Sequence, residues 1–287
     1  MGSFKDSWRP ALEFDPRLEV CPLCGDAGLR AHARDAAGVA VERCGGCGLL
    51  FMNPQYTDDA LSSFYAGYRS DACPRGQYSE ERRQRKLRNF ERLRAHISGG
   101  RFLAVGCGDG LELLLARELG FEVEGLDVDP DRCTAVAETL GCPVHVGDLI
   151  DVDLQPGTWS CIYLDQVLEH PKNPGVYLRR IHELLAPGGV LYLGVPNIAS
   201  ISSLWKSFCD RTGLRNAKSV GSQYDAWQHL SYFRPRQLGA ALEGHFGFEV
   251  LDVAGDPDGD SGGGLGRLRQ AFPWLDSSML IIARRRG

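Results

Sequence analysis

The chain has 287 residues, of which 43% are hydrophobic and 24% charged, enough for one sizeable α/β domain plus a small satellite. Its net charge of −5 gives the molecule as a whole no attraction for nucleic acid, and no apolar run approaches the ~18 residues of a membrane span. Met1-Gly2 does not open a myristoylation pattern, because position 6 is Asp, and nothing at the amino terminus reads as a secretion signal, so the expected location is cytoplasmic.

The first chemistry along the chain belongs to cysteine. Four of the ten cysteines form Cys21-Pro22-Leu23-Cys24 and Cys44-Gly45-Gly46-Cys47, two pairs with nineteen residues between them. That spacing is a strong zinc signature, and four thiolates close a tetrahedral site with no open position, so the metal expected on Cys21, Cys24, Cys44 and Cys47 is structural. Gly25 and Gly48 follow the two pairs and suit tight knuckles whose amides point at sulfur. Two disulfides or free core thiols would be the other uses of four cysteines, and disulfides are disfavoured because the remaining six are scattered singly and the compartment is expected to be reducing. A ribbon of this size has little core of its own, so metal binding is expected to supply much of its folding free energy.

The aromatic stretch from Leu49-Leu50-Phe51-Met52 to Phe64-Tyr65-Ala66-Gly67-Tyr68 is expected to pack the ribbon onto the rest of the chain, with lining a substrate pocket as the other use. Ser79–Ile97 reads as a helix, with Ser79 as cap, Glu80 and Glu81 in the first turn, and Leu87, Phe90, Leu93 and Ile97 on one face. The other face carries Arg82, Arg83, Arg85, Lys86, Arg88, Arg92 and Arg94. Such a stripe could grip phosphates, but a charge run on a helix is usually a solvated face, which is the reading expected here.

Arg101–Gly110 reads as a buried strand that ends in a glycine turn and runs into a helix over 111–119. Glycines at 106, 108 and 110 let the backbone turn sharply and let a ligand approach closely, while free amides at the helix start face it. A dinucleotide fingerprint would need Gly or Ala where Leu111 stands. A second strand, Glu122–Asp127, ends in an acid about 20 positions past the first glycine, placed to accept hydrogen bonds from ribose hydroxyls. Val144–Leu149 then reads as a third strand with a Gly147-Asp148 pair, followed by Ile162-Tyr163-Leu164-Asp165-Gln166-Val167-Leu168-Glu169-His170 and by Leu185-Ala186-Pro187-Gly188-Gly189 leading into Val190–Asn197.

This ordered set resembles the class I S-adenosylmethionine (SAM) methyltransferases over about residues 101–197. The resemblance implies a doubly wound, Rossmann-like α/β fold with a seven-stranded sheet whose last strand is antiparallel, behind a small amino-terminal zinc ribbon. The division expected is ribbon and aromatic lead-in over 1–70, and a SAM-binding domain over 71–287 with a roof insertion at about 198–240. The resemblance assigns cofactor contacts to Gly106, Cys107, Gly108, Gly110, Asp127, Val128, Asp148, Leu149 and Asp165, with Asp148 accepting the adenine amine and Cys107 carrying no chemistry. Ala104 stands where many members carry an acid beneath the glycine loop, and Ser160 where an Asp commonly opens the fourth strand, so an altered cofactor affinity is expected.

Beyond the fifth strand, 198–238 is aromatic and polar without strand periodicity and is expected to roof the ligand crevice. Strands are expected at Phe246–Val253 and Met279–Arg284, with a Gly- and Asp-rich loop over Gly255–Gly266 between them. His229, in Trp227-Gln228-His229-Leu230-Ser231-Tyr232-Phe233, resembles the His-Leu-x-x-Phe segment that borders the acceptor pocket in related enzymes and is the first candidate for general base. His170, beside Glu169, is the second, and Tyr224 and Tyr232 are candidates for orienting a substrate hydroxyl. The expected reaction is methylation of oxygen or carbon on a small-molecule acceptor, of the sugar or secondary-metabolite kind, with SAM and one structural Zn2+ as cofactors. Methylation of RNA and a non-catalytic SAM-binding role are the alternatives. Nucleic acid and membrane are not expected partners, and a homodimer is the candidate assembly.

Overall fold

A computed structural model of the chain describes residues 13–34, 38–68, 78–212, 224, 229–256 and 276–287. Two sheets carry the fold. The larger is built from β4 (Gly100–Val105), β5 (Phe121–Asp127), β6 (Val144–Val146), β7 (Trp159–Asp165), β8 (Leu185–Pro196), β10 (Phe248–Asp256) and β11 (Ser278–Arg285). Its order is β10-β11-β8-β7-β4-β5-β6, and β11 alone runs antiparallel to its neighbours β8 and β10. This is the seven-stranded, doubly wound arrangement with an antiparallel last strand that the sequence predicts. The strands read as apolar runs because both faces are covered: Leu103, Val105, Ile162, Leu164, Leu191 and Leu193 pack on one side, and Phe102, Ala104, Cys161, Tyr163 and Tyr192 on the other. Because β4 pairs in parallel with both β5 and β7, the glycine turn after β4 and the ends of β5 and β7 lie on one edge of the sheet, the position of a ligand crevice in such folds.

The Pro187-Gly188-Gly189 turn is absorbed into the start of β8. Gly188 takes φ 75°, a left-handed conformation that glycine adopts without a Cβ clash, and the pairing with β7 jumps from Trp159↔Leu185 to Cys161↔Val190 around it.

The second sheet has the order β1-β2-β3-β9, from β1 (Leu29–Arg34), β2 (Ala40–Cys44), β3 (Leu50–Met52) and β9 (Ser231–Tyr232). Its first three strands form the ribbon. The fourth comes from the far side of the sequence, through Leu50↔Tyr232 and Phe51↔Ser231. The aromatic lead-in behaves as packing: Leu49, Leu50, Phe51, Met52 and Tyr56 are all buried. Cys21, Leu23, Cys44, Leu49 and Phe51 belong to the same apolar cluster as the core strands of the large sheet. The carbonyl of Pro22 accepts from the Gly175 amide at 3.1 Å, and a Cβ at Gly175 would lie 2.3 Å from the Leu23 carbonyl oxygen, so glycine is needed where the ribbon meets the large domain.

Seven helices complete the described residues: α1 (Asp58–Tyr68), α2 (Glu80–Arg94), α3 (Leu111–Glu118), α4 (Pro130–Leu140), α5 (Pro174–Leu184), α6 (Ile201–Thr212) and α7 (Pro235–His245). Ser79 caps α2 as expected, accepting from the Arg82 amide at 3.2 Å. The predicted solvated stripe on this helix needs correction. Lys86 is buried and pairs with Glu112 and Asp165, while Arg82 pairs with Asp109, Arg83 with Glu118 and Arg92 with Asp252. These cations clamp α2 to the glycine loop, to α3 and to β10. Phe90 and Leu93 are buried as predicted, and the helix ends at Arg94, short of Ile97.

In the roof, Trp205 and Phe208 on α6 stack on each other but face outward. Tyr224, Tyr232 and Phe233 are buried. Trp227 lies outside the described residues. Gly255 and Asp256, predicted to open a loop, are the last residues of β10, paired with Met279 and Ser278, and the rest of that predicted loop lies outside the described residues. No helix among the described residues is long and apolar enough to cross a membrane.

Candidate active site and metal centre

Three left-handed glycines shape the turn between β4 and α3, with φ of 67° at Gly106, 54° at Gly108 and 83° at Gly110. At Gly106 the lack of a side chain also serves packing, since a Cβ would meet Val167 Cγ2 at 2.6 Å. The Gly106 and Cys107 amides both donate to the Leu126 carbonyl, which ties the turn to the end of β5. There Asp127 works with both oxygens: Oδ2 accepts from the Gly108 amide at 2.9 Å and Oδ1 from the Asp129 amide at 3.0 Å. Each oxygen keeps a further lone pair for a ligand hydroxyl. Val128 follows with its apolar side chain 47% exposed at the crevice edge.

The other predicted cofactor residues take more varied positions. Cys107 is buried, and burial raises its thiol far above the ordinary range, so it is inert. Leu149 is wholly buried in the main core and has only its backbone to offer. Asp148 accepts from the Ile150 amide and from the Tyr177 hydroxyl, a partner that the sequence reading missed. Asp165 is held by Lys86, and its Oδ1 has no hydrogen-bond partner. Lys86 also reaches Glu112 Oε1 at 2.8 Å. Burial alone would raise the Glu112 carboxyl, but the Lys86 and Arg82 cations outweigh it and hold Glu112 below the usual carboxylate range. A buried ion triad thus stands where the glycine loop, α2 and β7 meet, while Ala104 beneath the loop supplies no charge.

Across the strand ends, the chain brings the predicted bases together. The Leu230 and Ser231 amides donate to the Glu169 carbonyl at 2.9 and 3.1 Å, and the Leu230 carbonyl accepts from the Met52 amide at 2.9 Å. His229 is therefore fixed between the ribbon strand β3 and the segment that follows β7. Its ring lies 5.2 Å from that of His170, centroid to centroid, and both Nε2 atoms are within 4.0 Å of Glu169 Oε1. Glu169 itself is 1% exposed. Tyr224 takes a different place: its hydroxyl bonds His32 Nε2 at 2.8 Å, in a small cluster with Val41, Leu50, Ile198 and Tyr232. It is buried between ribbon and roof.

The four ribbon cysteines converge as expected. Cys21 Sγ and Cys47 Sγ are 3.7 Å apart, and Cys24 Sγ and Cys44 Sγ 3.6 Å, with all four sulfurs within 4.8 Å of one another. Thiolates about 2.3 Å from a tetrahedral zinc stand about 3.8 Å from each other, close to these two separations. Gly25 and Gly48 take φ of 80° and 75° and close the two knuckles through bonds to the Cys21 and Cys44 carbonyls.

The family model described as "Methyltransferase domain" matches residues 78–253. A ubiquinone biosynthesis O-methyltransferase of Xanthomonas euvesicatoria pv. vesicatoria is 28% identical over 176 residues, 56% of this chain and 68% of that protein. One from Xanthomonas campestris pv. campestris is 31% identical over 115 residues, 38% of this chain, and the chain spans about half of that relative's length (48%). Among solved structures, the 1,6-didemethyltoxoflavin-N1-methyltransferase of Burkholderia thailandensis, bound to S-adenosylhomocysteine, shares the fold with a TM-score of 0.55 at 18% identity, over 89% of this chain and all of that one. With most of its sheet, its glycine turn and its acid-tipped second strand inside the matched region, the chain belongs to the methyltransferase-domain family and is a class I SAM-dependent methyltransferase.

Proposed function

We propose that the chain methylates an oxygen or carbon atom of a small-molecule acceptor, a sugar or secondary metabolite, with His229 as general base and a structural zinc in the ribbon. The observation that carries this reading is the pairing of β3 with β9, which sets His229 against Glu169 and His170 beyond the end of β7. The segment after β7 that holds His229 lies at the same strand edge as the glycine turn, which supports this reading. The O-methyltransferase relatives favour oxygen as the acceptor atom.

SAM, when bound, supplies a methyl group on a positively charged sulfur. Asp127 would accept from the ribose hydroxyls on the lone pairs it has left, the exposed apolar side chain of Val128 would face adenine, and Asp148 would accept the adenine amine beside its bond to Tyr177. The backbone of Gly106–Gly110, free of Cβ atoms where it turns, would take the amino-acid end. His229 would remove the acceptor proton. Dry walls around the reacting atoms favour the transfer, because charge is dispersed in the transition state. The zinc would be held by Cys21, Cys24, Cys44 and Cys47 and, with four thiolates, would have no open position for chemistry.

Calorimetry with S-adenosylhomocysteine tests the donor half. One molecule should bind per chain, and Asp127→Ala should weaken binding at least ~10-fold, through loss of charge-assisted hydrogen bonds and of the tie to Gly108. Native mass spectrometry of the same sample should show one zinc per chain. Failure of the zinc-loaded protein to bind S-adenosylhomocysteine would overturn the reading.

A further inference from the structure

The Glu169 carboxyl is a buried titratable group that the mechanism above leaves without a task. It is 1% exposed, and neither of its side-chain oxygens has a hydrogen-bond partner. A carboxyl in that state destabilises a fold unless something else requires it. Among the described residues, the titratable groups within ion-pair reach are two imidazoles, His170 Nε2 at 3.8 Å and His229 Nε2 at 3.9 Å from Oε1. The main chain holds the three together, since the Glu169 carbonyl accepts from both amides that follow His229. Catalytic contacts are often this long before substrate binds.

We propose that Glu169 is the proton store of the methyl-transfer reaction: His229 hands the acceptor's proton on to the Glu169 carboxylate, and His170 returns it to solvent. The inference rests on the methyl-transfer reading with His229 as base. An acceptor lone pair forms the new bond to the methyl carbon as the carbon–sulfur bond breaks, and the bonding pair stays on sulfur. The acceptor's proton goes to His229 Nδ1, and the Nε2 proton of the same ring goes to Glu169. One positive charge on sulfur and one negative charge on a buried carboxylate disappear together. That cancellation is favoured in a site screened from water, where each isolated charge is poorly solvated.

Burial pushes the Glu169 carboxyl up to about 8, close enough to the imidazole range for a proton to pass in either direction at small cost. Here the role departs from that of the acid in a Ser-His-Asp triad, which stays ionised throughout. His170, with 23% of its side chain exposed, is the exit. The competent resting form carries Glu169 ionised, so turnover should rise as pH passes upward through about 8.

Nuclear magnetic resonance of the full, zinc-loaded chain with S-adenosylhomocysteine bound tests this without an acceptor. With labelled glutamate and histidine, the Glu169 carboxyl carbon should titrate with a midpoint near 8, and the His229 ring should inflect at the same pH. In Glu169→Gln that inflection should vanish. A Glu169 carbon titrating near the ordinary carboxylate value of about 4.3, or a His229 curve unmoved by Glu169→Gln, overturns the proposal. So does one equivalent of Mn2+ broadening the Glu169, His170 and His229 signals together, which would make the group a cation site. If Glu169→Gln loses its fold, the carboxyl signal of the unsubstituted chain still decides. Failure of the unsubstituted chain to bind S-adenosylhomocysteine overturns the methyltransferase reading and this proposal with it, whereas binding with an ordinary Glu169 titration overturns the proposal alone.

Discussion

Replacing Lys86 with Met removes the cation of the buried triad while keeping the length and most of the volume of the side chain, so the effect should be electrostatic. Lys86 Nζ lies 2.8 Å from Glu112 Oε1 and also pairs with Asp165, and the three side chains are only 4%, 11% and 10% exposed. Asp165 would be left buried without its counter-ion, and Glu112 with only the more distant Arg82 at 3.9 Å. Loss of one partner from a buried pair typically destabilises by about 3–5 kcal/mol, which for a domain of this size corresponds to about 6–20 °C in Tm. The pH dependence gives the sharper test. In the native chain Glu112 is held below the usual carboxylate range, so its stabilisation is complete above the unfolded value of about 4.3 and fades as pH falls through the lower folded value. In Lys86→Met the sign reverses, because stranded carboxylates bind protons more tightly folded than unfolded. The deficit should therefore be largest at pH 7 and shrink toward pH 5, measured as urea-unfolding free energies of the two proteins at each pH. A deficit under about 1 kcal/mol, the range of a surface pair, or one independent of pH, would refute the reasoning. Adding Glu112→Gln to Lys86→Met should recover part of the loss.

Gly175→Ala inverts the usual propensity argument. In a free helix it would stabilise by about 1 kcal/mol, but here the new Cβ meets the Leu23 carbonyl oxygen at 2.3 Å, and overpacking of about 1–3 kcal/mol should win; a raised Tm would contradict the docking of ribbon on α5. Cys44→Ser should release the zinc and lower the melting temperature of the amino-terminal region, and an unchanged melt with full zinc content would remove the metal assignment. His229→Ala should reduce turnover by about 10²–10⁴-fold while the affinity for S-adenosylhomocysteine changes little. Unchanged turnover at saturating acceptor would end its role as base.

The donor half of the candidate site was legible because it is local. The strand, three glycines and the acid at the end of the next strand lie between Gly100 and Asp127, and each answers a local backbone need: φ above 50° at Gly106, Gly108 and Gly110, and an amide that needs Asp127. The four cysteines were legible for the same reason. Lys86 was not, since one basic residue among seven on a helix gives no sign that it alone points inward; Glu112 and Asp165, its partners, are 26 and 79 positions away. Tyr177 reaches Asp148 from a helix whose placement depends on the whole sheet. His229 could be picked out, but its setting could not. A two-residue strand has no periodicity to read, and Tyr224, which looked like a pocket residue, is engaged by His32 from 192 positions earlier.

That short strand has a consequence for how the enzyme comes into being. Its partner in β3 is made early in synthesis, and Ser231 and Tyr232 pair with it only after some 180 intervening residues have followed. The strands and turns that shape the donor crevice all fall within 100–196, so they can fold while the tail of the chain is still being made, whereas the contact that seats His229 is among the most non-local in the molecule and the slowest kind to form. During refolding, affinity for S-adenosylhomocysteine should therefore return before turnover does.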